Sequence, residues 1–159
     1  MEIYFTYDKK MVIQALRYHF ITRKEIKFLL ILVNVFAILS AALFYFKKVS
    51  PFAFLVSTLL WVGLMISFWY VMPFTVYKKA ATFKDTFKMI FGEHGIRLEN
   101  ENGFTEWGWH KFSTYFESPN FIHLYFNSRS FFLVPKLEAV EEGKLDEIRL
   151  LLNRKIKRK

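Results

Sequence analysis

Two long apolar stretches decide the fold: FLLILVNVFAILSAALFYF at residues 28–46 and PFAFLVSTLLWVGLMISFWYVMPFTV at residues 51–76. Neither contains a charged side chain, and only Lys47-Lys48-Val49-Ser50 separates them. As a helix rising about 1.5 Å per residue, the first stretch is about 28 Å long, which matches the roughly 30 Å hydrocarbon core of a bilayer. The second is longer and can tilt. The sequence therefore predicts a transmembrane helical hairpin at residues 28–76.

Composition limits what the rest of the chain can be. The 159 residues leave room for the hairpin and one small domain. The absence of cysteine excludes disulfide bonds and thiolate metal sites. A net charge of +9 that flanks a membrane hairpin favours attraction to anionic lipid over binding to nucleic acid.

Positive charge predicts the orientation of the hairpin. The turn holds only Lys47 and Lys48, whereas many more basic residues precede the first stretch and follow the second. These flanking residues are Lys9, Lys10, Arg17, Arg23, Lys24, Lys27, Lys78, Lys79, Lys84 and Lys88. Because basic residues near short loops stay on the cytoplasmic side, both termini are expected in the cytoplasm.

Small and polar residues predict how the two helices of the hairpin pack. Ala37 and Ala41 are four residues apart in the first stretch, as are Gly63 and Ser67 in the second, and this spacing lets helix backbones approach closely. Asn34 is the only amide side chain in either stretch. We interpret it as a hydrogen-bonding contact between helices, and the alternative is a transport or proton-relay residue.

The segment before the hairpin, residues 1–27, predicts a strand and a helix. Glu2–Tyr7 alternates along its length and contains aromatic and β-branched residues, as a short strand does. Asp8 can cap a helix in which Met11, Ala15, Tyr18 and Thr22 share one face. We expect this amphipathic helix to lie at the inner membrane surface, with its basic residues among the lipid headgroups.

Residues 77–159 predict a small domain of strands followed by a helix. Six antiparallel strands are expected within Phe83–Phe91, Ile96–Leu98, Phe104–Trp109, Lys111–Glu117, Phe121–Phe126 and Phe131–Val134. An amphipathic helix from Glu138 or Glu141 to Ile156 follows them. An antiparallel sheet capped by a C-terminal helix is the pattern of a pleckstrin-homology (PH)-like domain, which is an α+β fold. The strand at Glu2–Tyr7 would be the seventh strand and would complete this sheet, although the hairpin separates it in sequence from the other six.

A set of mostly aromatic positions in this domain resembles a known family. The set comprises Trp109, Phe112, Ser113, Tyr115, Glu117, Phe121, Leu124, Phe126, Phe132, Val134, Pro135 and Lys136. With the N-terminal segment and the hairpin, it is similar to the YcxB-like family of small bacterial membrane proteins over nearly the whole chain. The resemblance implies a multi-pass protein of the bacterial inner membrane with a cytoplasmic PH-like module, and it implies no particular activity or ligand.

Patterns that would indicate catalysis or metal binding are weak. His19, His94, His110 and His123 are widely spaced, whereas a structural metal site needs three or four converging ligands. Glu93, His94 and His110 would form the acid–base site if the protein were an enzyme, yet no nucleophile or phosphate-binding loop accompanies them. We therefore predict a protein that is not an enzyme and needs no metal or cofactor.

The aromatic content of the strands predicts either a core or a binding surface. Trp107 and Trp109 point to one face of their strand, and Phe121 and Tyr125 share a face of another. The simpler interpretation is a heavily aromatic core. Because a small sheet has only one buried face, the surplus aromatic residues would meet the C-terminal helix, the membrane surface or a protein partner, and they are the best indication of a binding surface in the sequence.

Seven basic residues are candidates for contact with lipid headgroups. They are Lys78, Lys79, Lys84, Arg154, Lys155, Lys157 and Arg158. Next to an anionic membrane surface each is worth about 1 kcal/mol of attraction, whereas the simpler interpretation is a solvated helix end.

These observations predict a non-enzymatic membrane protein whose PH-like domain binds another protein. It would act as an accessory, assembly or regulatory subunit of a membrane complex, with membrane lipid and a protein partner or homo-oligomer as its contacts. The alternative is a membrane module that senses anionic lipid. No nucleic acid and no small-molecule substrate are expected.

Overall fold

The computed structural model describes residues 1–141 and 143–159, and only the backbone of Ala81 and Val140. The chain forms two units, one of residues 1–15 and 80–159 and the other of residues 16–79. We call the first the sheet unit and the second the helical unit. Helix α1, Lys9–Thr22, crosses the boundary between them.

The helical unit contains two helices that are long and apolar enough to cross a membrane. Helix α2 is Lys24–Tyr45, with a mean hydropathy of 2.5. The second runs over Pro51–Lys79 with a mean hydropathy of 2.0 and consists of α3 (Pro51–Ile66), a π-helical turn (Ser67–Val71) and α4 (Met72–Lys79). None of the most apolar window of either helix is buried within the protein. Exposed apolar side chains along both helices agree with the predicted hairpin.

Contacts between α2 and α3 lie close to the turn of the hairpin. The hydroxyls of Ser40 and Ser57 are 2.7 Å apart, and the rings of Phe44 and Phe54 stack at 4.4 Å. Ser50 caps α3 by accepting a hydrogen bond from the amide of Ala53, and Pro51 begins the helix. The turn is therefore fixed by capping and by a ring pair.

The predicted packing residues have different positions. Ala37 and Ala41 line a groove of about 270 Å³ between α2 and α3, together with Asn34. Asn34 donates to the carbonyl of Leu30 in its own helix, so its described bond is not the predicted contact between helices. A Cβ added at Gly63 would meet nothing within 4 Å, so Gly63 is not a point of close helix contact. Ser67 begins the π-helical turn.

The sheet unit is built from seven strands in two antiparallel sheets. The first sheet has the order β1-β2-β3-β4, with β1 at Glu2–Thr6, β2 at Thr86–Phe91, β3 at Gly95–Asn100 and β4 at Gly103–Gly108. The second has the order β5-β6-β7, with β5 at Thr114–Glu117, β6 at Phe121–Tyr125 and β7 at Phe131–Pro135. Strand β1 pairs with β2 in register Ile3–Met89 and Phe5–Phe87, so the prediction that the N-terminal strand completes the sheet is confirmed.

Two short 3₁₀ turns replace the ends of predicted strands. The turn Ala81–Lys84 occupies the start of the predicted strand Phe83–Phe91, so β2 begins later. The turn Trp109–Lys111 follows β4 and occupies the end of the predicted strand Phe104–Trp109 and the start of the predicted strand Lys111–Glu117. Local backbone bonds of a helical turn compete with strand pairing at both places.

The C-terminal helix is two helices rather than one. Helix α5 is Lys136–Glu141 and helix α6 is Leu145–Lys155, whereas the sequence predicts a single helix from Glu138 or Glu141. Gly143 has φ of +68°, a left-handed conformation that separates them. Glu142, which falls in the predicted helix, lies outside the described residues. Ile148, Leu151 and Leu152 form the buried stripe of α6, as the pattern predicts.

Helix α1 buries a face that overlaps the predicted one at Ala15 but is otherwise shifted. Val12, Ala15 and Leu16 are almost fully buried, whereas Met11 is 37% exposed. The spacing of the buried residues is that of one helical face, offset by one position from the stripe through Met11 and Tyr18. Part of the helix expected among lipid headgroups is therefore covered by protein.

Candidate functional site

The aromatic residues predicted as a partner-binding surface lie mainly in the interior. Their exposed fractions are 9% for Trp109, 2% for Phe121 and 1% for Tyr125, whereas Trp107 is half-buried. Every residue of β6 is buried, so both faces of this strand are covered by other parts of the chain. The premise that a small sheet has a single buried face is wrong for this sheet, and these three side chains are core residues.

The two tryptophans stabilise turns and the core. The indole N–H of Trp109 donates to the carbonyls of Gly92 and Glu93, at 3.1 Å each, and so fixes the turn between β2 and β3. The ring of Trp107 lies 5.4 Å from Phe126 and 6.0 Å from Phe132, in edge-on and tilted contacts. Both roles are structural.

The four histidines do not come together. His123 is fully buried, and its Nε2 lies 3.0 Å from the hydroxyl of Ser118, whereas His110 is exposed. His19 is also buried. Over residues 1–141 and 143–159, no three His, Asp or Glu side chains are placed to hold a metal ion.

Glu93 is held in an ion pair with two residues of the predicted lipid-binding set. Its carboxylate lies 3.0 Å from Nζ of Lys155 and 3.9 Å from Arg154. The hydrogen bond from Lys155 lowers the pKa of Glu93 below its ordinary value. Glu93 is therefore a stable anion, and Arg154 and Lys155 contact a carboxylate of the chain itself.

The remaining basic candidates have exposed side chains. Lys78 and Lys79 end α4, and Nζ of Lys78 lies 5.0 Å above the ring of Phe74. Lys84, Lys157 and Arg158 are exposed on the sheet unit. The tail is not a solvated helix end, because residues 157–159 pair with Tyr115 of β5 through two backbone hydrogen bonds.

A charged cluster at Glu117 attaches α6 to the second sheet. One oxygen of Glu117 accepts from Arg149 at 2.6 and 2.9 Å and lies 3.2 Å from Nζ of Lys136. Arg149 also donates to Asp146, and Lys136 donates to the carbonyl of Ser118. Burial raises the pKa of Glu117, but the hydrogen bonds from Arg149 and Lys136 together lower it by more. The net pKa therefore lies below its ordinary value of 4.5.

Acid is expected to remove the stabilisation that Glu117 provides. Because its pKa is lower in the folded than in the unfolded chain, the contribution is present above about pH 4.5 and is lost as pH falls below that value. Glu117→Gln should cost roughly 1–3 kcal/mol at pH 7 and less at pH 3.5. Thermal melting of both proteins at the two pH values measures this difference. An equal loss at both pH values would contradict the prediction.

A second polar contact lies inside the helical unit, at the π-helical turn. Pro73 has no N–H, so the carbonyl four residues earlier, that of Trp69, cannot receive its α-helical bond. Nε of Arg17 donates to this carbonyl at 2.8 Å, and its guanidinium lies 5.3 Å from the centre of the Tyr70 ring. Arg17 therefore satisfies a backbone group that the proline leaves open.

This geometry predicts that Arg17 and Pro73 are energetically coupled. Arg17→Ala should lower the melting temperature of the full-length chain in lipid nanodiscs, because the Trp69 carbonyl loses its donor. In a Pro73→Ala background residue 73 regains an N–H, so the same substitution should cost about 1–2 kcal/mol less. The four proteins of this double-mutant cycle are compared by thermal melting. An identical loss in both backgrounds would refute the assignment.

The sequence did not reveal a surface on the outer face of the first sheet. Phe104 is 62% exposed, and the guanidinium of Arg97 stacks 4.0 Å from the centre of its ring. Arg97 also contacts Glu99 at 2.7 Å and Glu106 at 3.1 Å. A mainly apolar depression of about 250 Å³ adjoins this cluster. The alternation of Phe104 and Glu106 after the Asn-Gly turn was the available sequence pattern, but an outward face can be assigned only once the strand order is known.

Strand order and helices together define the class of protein. The protein is an α+β unit of two antiparallel sheets and a C-terminal helix, and two long apolar helices are inserted between its first and second strands. Residues 91–152 match the family model described as YcxB-like protein, which confirms the resemblance to this family over that part of the chain. Comparison with curated proteins and with solved structures gives no match.

Proposed function

We propose that this chain is a non-enzymatic protein of the bacterial inner membrane whose cytoplasmic domain binds another protein. The two apolar helices would cross the membrane as a hairpin with both termini in the cytoplasm. The domain would act as an accessory, assembly or regulatory subunit of a membrane complex. Exposed apolar side chains along both helices and the few basic residues at the turn support this topology.

A PH-like architecture for the sheet unit is part of the proposal. Sheets of four and three antiparallel strands followed by a C-terminal helix support it. Several residues of the family-like set, Tyr115, Phe121 and Leu124 among them, are buried core positions, as expected of residues that specify a fold.

The observation that best supports a binding role is the pairing of β1 with β2 across the helical insertion. This pairing joins the sheet unit to the helices through two chain connections, one before α2 and one after α4. Such a connection suits a domain that presents a surface at the membrane. Glu93, the candidate acid or base of an enzyme, is instead paired with Lys155.

The test is native-size analysis of the full-length protein after extraction in a lipid-preserving polymer, with mass spectrometry of what co-migrates. We expect a protein partner in a fixed ratio. A chain that migrates alone in such extracts, and that gives no protein crosslinks in cells, would refute the proposal.

Exposed bases at Lys78, Lys79, Lys157 and Arg158 favour a second candidate, a module that senses anionic lipid. The same experiment separates the two functions. A lone chain or small homo-oligomer enriched in anionic lipid would support lipid sensing. Loss of that enrichment in Lys157→Gln with Arg158→Gln, but not in Lys155→Gln, would assign it to the tail, because Lys155 pairs with Glu93.

A further inference from the structure

The two sheets have four edge strands, β1, β4, β5 and β7. On three of them, as far as the structure describes the chain, outward-pointing backbone groups form hydrogen bonds with other parts of the protein. On β1 the outward carbonyl of Glu2 accepts from Nζ of Lys144 at 2.8 Å. On β7 the carbonyl of Leu133 accepts from the hydroxyl of Tyr7 at 2.6 Å. On β5 the amide and carbonyl of Tyr115 bond to residues 157 and 159 of the tail. Covering an edge in this way prevents unwanted strand addition.

Strand β4 is the exception. Its pairs with β3 alternate, and the bond from the amide of Trp109 to the carbonyl of His94 shows which pairs exchange hydrogen bonds. By that alternation, the N–H and C=O groups of Phe104, Glu106 and Gly108 point away from β3. Within residues 1–141 and 143–159, no backbone or side-chain group outside the β3–β4 strand pair bonds to these N–H and C=O groups.

The open edge also has a shape that fits one large side chain. The depression of about 250 Å³ beside it is lined by the backbone of Gly92, Gly95 and Gly108, with Ile90 and Glu106 among its walls. A cavity of about 150 Å³ holds benzene, so an aromatic ring fits here. An aromatic residue across from a strand glycine packs on the surface beside it. At Gly108 the imidazole of His110 lies there, 2.7 Å from the position that a Cβ would take, so an incoming ring would pack against this imidazole.

The charge of the edge selects the partner. The single guanidinium of Arg97 faces the carboxylates of Glu99 and Glu106, and Glu101 is exposed at the hairpin tip. This strip is acidic on a chain whose net charge is +9. A second copy that added its own β4 would bring the same acidic strip to the contact, which disfavours self-pairing.

We propose that β4 binds an extended, basic segment of a partner protein, which adds to the first sheet as an antiparallel fifth strand. A lysine or arginine of that segment lies opposite Glu106. An aromatic residue two positions before it lies opposite Gly108 and packs against the imidazole of His110, beside the depression. This inference rests on the proposed protein-binding function and assigns the surface that performs it.

The test uses the full-length protein in lipid nanodiscs and a labelled peptide, Thr-Thr-Phe-Thr-Lys-Thr-Val-Thr-Thr, in fluorescence anisotropy. Glu106→Pro removes the outward N–H while leaving the bonds to β3, since proline is tolerated on the solvent side of an edge strand. Glu106→Gln is the matched control, because it removes the charge and keeps the N–H. We expect Glu106→Pro to weaken binding at least about tenfold and Glu106→Gln by no more than about fivefold.

Equal binding to wild type and Glu106→Pro, or no binding to wild type, would overturn the assignment. If Glu106→Pro does not fold, hydrogen exchange in the wild-type protein decides. Protection of the Glu106 amide by the peptide supports the edge site, and unchanged exchange overturns it. If a cellular partner co-purifies equally with both variants, the proposed protein-binding function stands and only the assignment of the β4 edge is refuted. If the peptide binds but no cellular partner is found, the proposed function is refuted and the edge site is not.

Discussion

Gly95→Ala is expected to destabilise the sheet unit by about 3 kcal/mol, which lowers its melting temperature by more than about 10 °C. A Cβ at this position would lie 2.2 Å from the carbonyl oxygen of Trp107 and 2.9 Å from Cα of Gly108. Both are backbone atoms of the neighbouring strand, so no side-chain rotation relieves the clash. The strands β3 and β4 must separate locally, and the pairing of Gly95 with Gly108 is lost.

Gly92→Ala is the matched control in the same turn. A Cβ there meets only the carbonyl oxygen of Gly95 at 3.5 Å, an ordinary van der Waals contact. We expect this variant to melt within about 1 kcal/mol of wild type. Circular dichroism of the two full-length variants in a mild detergent measures the difference, and equal melting temperatures would show that the backbone contact at Gly95 does not constrain the sheet.

Tyr7→Ala is the second substitution with a large expected effect, about 4 kcal/mol. The Tyr7 ring lies between the two sheets, 5.3 Å from Phe5, 6.1 Å from Phe87 and 6.4 Å from Phe132. Its hydroxyl donates to the carbonyl of Leu133, and burial raises its pKa well above the ordinary value. Removal of the side chain leaves both a cavity and an unpaired carbonyl.

Tyr7→Phe separates these two contributions. It keeps the ring and removes the hydroxyl, so the carbonyl of Leu133 loses its donor at a cost of roughly 1–2 kcal/mol. Denaturant unfolding of wild type, Tyr7→Phe and Tyr7→Ala should give three separate midpoints in that order. If Tyr7→Phe is as unstable as Tyr7→Ala, the hydroxyl and not the ring packing dominates.

Local patterns predicted the elements of the fold well. Each of the seven predicted strands overlaps an observed one, and the two apolar stretches coincide closely with long helices. These patterns depend on residues near one another in sequence: alternation in strands, turn residues between them, and continuous apolar runs. That the N-terminal strand joins the sheet was also predicted, whereas its partner, β2, is known only from the structure.

The placement of side chains on buried or exposed surfaces was predicted less well. Phe121 and Tyr125 were candidates either for an aromatic core or for a partner-binding surface, and only the structure, in which the strands form two sheets and β6 is covered on both faces, places them in the core. Asn34 bonds within its own helix, and Gly63 has open space around it. Each of these outcomes depends on which residue meets which across the chain, and periodicity does not contain that information.

The sequence by itself determined the two long helices, the strands and the basic flanks, because each arises from hydrophobicity and charge along the chain. Only the tertiary structure decided which edge strands have their outward backbone groups hydrogen-bonded to other parts of the chain. The hydroxyl of Tyr7 bonds to β7 and the tail bonds to β5, whereas none of the described residues bonds to the outward backbone groups of β4 beside an acidic cluster. Backbone groups at an edge have the same chemistry in every sequence, so whether they are paired depends on contacts between residues far apart in the chain.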